Sequence, residues 1–101
     1  MELVQADIDA YLATKHADDV IGERFNSRFC LLSESLHHKY PDYEWQVDCF
    51  TVLGLSMESP GDEVSFTLSE DVRALEVTFD LLPGAASRVT KAVWLAQAEA
   101  V

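Results

Sequence analysis

Pro41 divides this chain into two kinds of apolar pattern, and that division constrains the fold more than any other feature. Upstream, apolar residues return every three or four positions. Ile21, Phe25, Phe29, Leu32 and Leu36 form one long stripe, which predicts an amphipathic helix lying against something apolar. Gly22 falls in its first turn, where a glycine costs little. The residue before a proline avoids helical dihedrals, so this helix ends by Tyr40. Downstream the period is two. Tyr43, Trp45, Val47, Cys49, Leu53, Leu55 and Met57 point one way, and Glu44, Gln46 and Asp48 the other. Phe50 and Val52 add apolar side chains to that second face.

The flanking segments follow the same two rhythms. Val4, Ile8, Tyr11 and Leu12 share one face of a helix over 3–16, with Lys15 and His16 in its last turn, where positive charge suits the dipole. Asp18 and Asp19 then offer a cap for the next helix. Ser59-Pro60-Gly61-Asp62 reads as a turn. Val64, Phe66 and Leu68 alternate in a second strand, and Glu70 to Arg73 reads as a connection. Leu75, Val77, Phe79 and Leu81 alternate in a third strand, with Glu76, Thr78 and Asp80 outward. Pro83-Gly84 breaks it, and the alanine-rich stretch from Ala85 to Ala100, with Val89, Val93 and Ala96 in a stripe, reads as a helix. The expected order is α-α-β-β-β-α in a single domain spanning residues 1–101. This is α+β class: a three-stranded antiparallel meander covered on one face by the long helix and the C-terminal helix. Such a sheet has two open edges, which invites self-association.

Charge narrows the function. Eighteen Asp and Glu against seven Lys and Arg give a net charge of −11, while 49% of the residues are hydrophobic. The apolar content supports a packed core. The charge disfavours direct binding to nucleic acid or to an anionic membrane and favours a partner with a basic surface. No apolar run approaches the length of a spanning helix. The opening Met1 to Asp7 lacks a basic region followed by an apolar one, so no secretory leader is expected. Two cysteines, Cys30 and Cys49, are too few for a disulfide framework and read as small core residues with reduced thiols, which points to the cytoplasm.

Motifs for chemistry are absent. Glu34 precedes His37 and His38 as Glu-x-x-His, but a di-iron site needs two such motifs and further glutamates. Zinc spacing is missing too, so no metal and no cofactor are expected, and the histidines read as a solvated helix end. No nucleophile elbow, cysteine-protease signature or glycine-rich phosphate loop occurs, so no catalytic residue is assigned and the chain reads away from an enzyme. Arg24 and Arg28, one turn apart, read as intramolecular ion-pair partners.

The expected function is a small, acidic, non-enzymatic protein–protein interaction module, homodimeric and binding a basic partner. Its contact residues would be Glu44, Asp48, Phe50, Val52, Glu76 and Asp80 on the outward sheet face, with Trp94 as an aromatic anchor on the last helix. One alternative is an inhibitor, immunity protein or nucleic-acid mimic of mobile-element or phage type, although Gln46 and Thr78 interrupt both acidic rows. Another is a small-ligand-binding domain or enzyme, with a pocket between helix and sheet lined by Tyr11, His38, Tyr40, Tyr43 and Trp45.

Overall fold

A computed structural model describes residues 1–48, 51–84 and 86–99. Two antiparallel sheets organise it: a three-stranded meander and a two-stranded ribbon, with helices between and around them. The fold is α+β, as expected, but several segments change type.

The first helix, α1 (Gln5–Ala13), buries Ile8, Tyr11 and Leu12. Asp7 bends back to accept from the Val4 N–H at 2.9 Å and pairs with Lys39 at 2.8 Å, which ties this helix to the one that ends at Lys39. The stretch from Ile21 to Tyr40 is not one helix. It opens as strand β1 (Val20–Glu23), turns through 24–30, and becomes helical only at α2 (Leu31–Lys39). Phe25 sits in the left-handed region with φ of 56°, which interrupts any helix. Asn26 then accepts from the Arg28 N–H at 3.1 Å, a turn typical of asparagine. The periodic stripe is real only in its second half, where Leu32 and Leu36 are fully buried; Phe25 and Phe29 are 71% and 53% exposed. Cys30 caps α2, its Sγ accepting from the Ser33 N–H at 3.4 Å, and the helix stops before Pro41 as expected.

The alternating stretch after Pro41 is two strands, β2 (Tyr43–Val47) and β3 (Thr51–Ser56), paired antiparallel with Trp45 opposite Gly54 and Val47 opposite Val52. The Asp48 N–H donates to the Thr51 carbonyl at 2.9 Å. Pairing sets the two strands' faces in register, so parity reverses between them: Val52 is fully buried, and Leu53 and Leu55 share the outward face with Gln46 and Glu44. Cys49 and Phe50 lie outside the described residues. The Ser59 to Asp62 turn forms as read, with Gly61 at φ of 95° and the Asp62 N–H donating to Ser59 at 3.0 Å. It leads to β4 (Glu63–Thr67), which completes the meander in the order β2-β3-β4.

Residues 70–80 form helix α3 (Glu70–Asp80), not a third strand. Ser69 is its N-cap, Glu70 and Asp71 place negative charge in its first turn, and Val72 and Phe79, seven residues apart on one face, are buried. Alternation over 75–81 is the accidental overlap of that face with exposed Val77 and Leu81. Within 85–100, Arg88–Thr90 is strand β5, paired antiparallel with β1, and α4 (Lys91–Glu99) follows. Trp94 is buried against Phe79 in an edge-on contact at 5.8 Å.

One core joins these parts. Trp45 anchors it, packing against Tyr40, Tyr43 and, edge-on, Phe66 and donating from Nε1 to the Tyr40 carbonyl at 3.0 Å. Helix α2 packs on β2, and α1 on α2.

Candidate functional site

Four helical positions on α3, Arg73, Glu76, Val77 and Asp80, share one face and form one wall of a cavity of about 730 Å³. The opposite wall is the turn after β1, with Phe25, Asn26 and Ser27. The floor is the end of β2 and the start of β3, with Val47, Asp48 and Thr51, joined by Leu68. Three hydrogen bonds hold these walls. The Phe25 N–H donates to Asp80 Oδ1 and Arg24 Nε to the Asp80 carbonyl, both at 2.9 Å, and the Val47 N–H donates to Ser27 at 2.8 Å. The turn residue Phe25 is thereby fixed with its ring exposed and the Arg24 guanidinium 5.5 Å from the ring centre.

The lining is amphipathic. Phe25, Val47, Leu68 and Val77 are apolar, and three acids, Asp48, Glu76 and Asp80, outnumber Arg73 among the described residues. Glu76 is the unusual one. It reaches from α3 to the start of α2. Burial, then the neighbouring Asp80, push its carboxyl up to about 7, and hydrogen bonds from the Cys30 thiol and the Leu32 backbone pull it back only in part. Its Oε2 is buried without a hydrogen-bond partner among the described residues. Burial and the same glutamate push the Cys30 thiol up to about 12. Cys30 is therefore a capping and packing residue, as its sequence context implies, and no thiolate nucleophile.

Asp48, Glu76 and Asp80, expected on one sheet face, do meet, but across a sheet–helix groove. Glu44 stands elsewhere, on the outward sheet face beside Leu55 and Glu63, and borders a second cavity of about 380 Å³ with Arg28, Glu34 and His37. Val52 and Trp94 are 0% and 7% exposed, so core packing withdraws both from any partner. Phe50 lies outside the described residues. The expected pocket-lining rings do not converge on one mouth. Tyr11 packs on His38 at 6.0 Å and donates to the Ile21 carbonyl, while Tyr40 and Tyr43 flank Trp45, which alone of the five borders the second cavity. Sequence reasoning missed Phe25 and Val77. Asn26, a turn former directly after Phe25, was the available signal that the phenylalanine leaves the helical stripe.

Among the described residues no group of three or more His, Cys, Asp and Glu converges as a metal-binding set, and no helix is long and apolar enough to cross a membrane. No family model, curated protein or solved structure matches this chain.

Proposed function

We propose that this protein is a non-enzymatic interaction module whose α3 groove docks a basic, partly apolar segment of a partner protein. One observation carries the reading: exposed Phe25 and Val77, 71% and 54% accessible, share a cavity with three acids. An aromatic anchor with a charged rim is the composition of an interface centre, and the net charge of −11 would steer a cationic partner toward it. The outward sheet face supports the reading less well, because Leu55 separates Glu44 from Glu63 and the next row, Gln46, Leu53 and Ser65, carries no acid.

An amphipathic peptide of leucine and arginine is a suitable probe. Backbone amide NMR signals of Phe25, Asp48, Val77 and Asp80 are expected to shift on titration, and affinity to fall with added salt. Phe25→Ala should weaken binding about tenfold, as truncation of an aromatic anchor does. Shifts scattered over the acidic surface and indifferent to Phe25→Ala would mean charge-driven association alone and would remove the groove from the proposal.

Homodimerisation belongs to the same proposal. Strand β4 ends the three-stranded sheet, and its outer edge is where a second copy would add a strand. Light scattering across a concentration series is expected to show mass rising toward twice 11.3 kDa; a constant monomer mass would exclude this element.

A further inference from the structure

Glu76 differs from the other acids of the groove in facing two environments at once. Its carboxyl meets the first turn of α2 through the Leu32 backbone and the Cys30 thiol, yet it also borders the cavity and leaves Oε2 unpaired. The N-terminus of α2 favours the carboxylate, because helix dipoles attract negative charge there. Burial and Asp80, one turn further along α3, favour the acid. The charged and titratable groups around it are Asp80 and Arg73 on α3, Cys30 at the start of α2, Asp48 at the end of β2, and Arg24, which donates to the Asp80 carbonyl and lies against the Phe25 ring. No histidine lines the cavity among the described residues. Burial and Asp80 outweigh the hydrogen bonds from α2 and hold the carboxyl near neutrality, at about 7, where a positive charge arriving in the groove can shift the balance.

We propose that the docked segment seats one cationic side chain, a guanidinium or an alkylammonium, between Phe25, Asp48 and Asp80, and that its arrival converts Glu76 from acid to carboxylate. The O–H bond of the carboxyl breaks, its proton goes to solvent, and no other bond changes. Docking and proton release are then coupled. This rests on the groove being the docking site. It adds the chemistry of the seated group and a pH dependence.

The consequence is quantitative. A positive charge within about 4–6 Å lowers a carboxyl pKa by about 1–3 pH units. With Glu76 at about 7 in the empty groove, a drop of about one unit makes affinity rise roughly 5–10-fold between pH 5.5 and 8, because binding releases the proton. The rise belongs to Glu76, so Glu76→Gln should bind with nearly constant affinity over that interval.

The test uses the whole protein, carbon-13-labelled at the glutamate carboxyl groups, titrated with acid in the presence of N-acetylarginine amide and, separately, of its neutral counterpart N-acetylcitrulline amide. The expected result is a Glu76 midpoint about one pH unit lower with the arginine probe and unmoved by the citrulline probe, with the Phe25, Asp48 and Asp80 amides shifting alongside. If those amides shift while the midpoint stays, proton coupling is wrong and the docking groove survives. If they ignore the arginine probe but respond to the leucine–arginine peptide, the single seated cation is wrong and the groove again survives. If they respond to neither, both readings fall.

Discussion

Glu76→Gln is expected to gain stability relative to its parent as pH rises from 4 to 8. In the folded chain, burial and then Asp80 raise the Glu76 carboxyl from the ordinary glutamate value of 4.5 to about 7. The unfolded chain restores the ordinary value. Between 4.5 and about 7 the unfolded state has lost this proton and the folded state has kept it. Stability therefore falls as pH rises through that window, and the loss is complete above about 7. At about 1.4 kcal/mol per pH unit, the interval corresponds to a loss of about 3 kcal/mol. Glutamine has no proton to lose. It places an unpaired amide group where Oε2 now lies unpartnered, a penalty that is the same at every pH and cancels when the curves are compared. General repulsion among the other acids acts on both proteins alike. Urea denaturation followed by tryptophan fluorescence at intervals from pH 4 to 8 is the measurement. The gap between the two curves should open by about 3 kcal/mol in favour of the glutamine form; curves that stay parallel would mean that the Glu76 carboxyl titrates as an ordinary surface acid.

That a surface-type residue should carry so large an effect was not legible in the sequence, and the reason is geometric. Read on a strand, Glu76 alternates outward beside Thr78 and Asp80. Read on a helix, it falls on the same face as Arg73 and Asp80 and close to the face that buries Val72 and Phe79. Both periods fit residues 75–81, and only the Ser69 cap with acidic Glu70 and Asp71 behind it favours the helix. Local information was sufficient elsewhere. Pro41 stopped α2, Gly61 made its turn, and Trp45 and Val47 faced the core opposite Glu44, because each depends on neighbours within a few residues. It was insufficient for Val20 to Glu23. Those residues are strand because Arg88 to Thr90 pair with them from the far end of the chain, a contact no window contains. The same remoteness hid the groove: its acids were visible as acids, but Phe25 reached them only through the bond of its N–H to Asp80.

Gly22→Ala separates the strand from the helix at this point by the sign of its effect. In the first turn of a helix, alanine would be neutral or stabilising by up to about 1 kcal/mol. On β1 the substitution meets the beginning of α2. A methyl group at Gly22 would lie 2.8 Å from the Leu31 nitrogen, 2.9 Å from the Cys30 carbonyl carbon and 3.1 Å from the Phe29 carbonyl oxygen. All three are backbone atoms, so no rotamer change relieves the contact. The Glu23 N–H donates to that same Phe29 carbonyl at 2.6 Å, and the neighbouring Ile21 carbonyl accepts from the buried Tyr11 hydroxyl at 3.0 Å. Moving β1 away would stretch both bonds and open the core around Ile21 and Leu31, each fully buried. The expected result is destabilisation by about 3 kcal/mol, the upper part of the range for overpacking a closed site. Gly84→Ala is the control for glycine loss without crowding. No atom lies within 4 Å of its added methyl, and its φ of 68° imposes only the local strain of a left-handed residue, about 1–2 kcal/mol. A Gly22→Ala protein with an unchanged or higher urea midpoint would overturn the close approach of β1 and α2 and, with it, the turn that holds Phe25 at the groove.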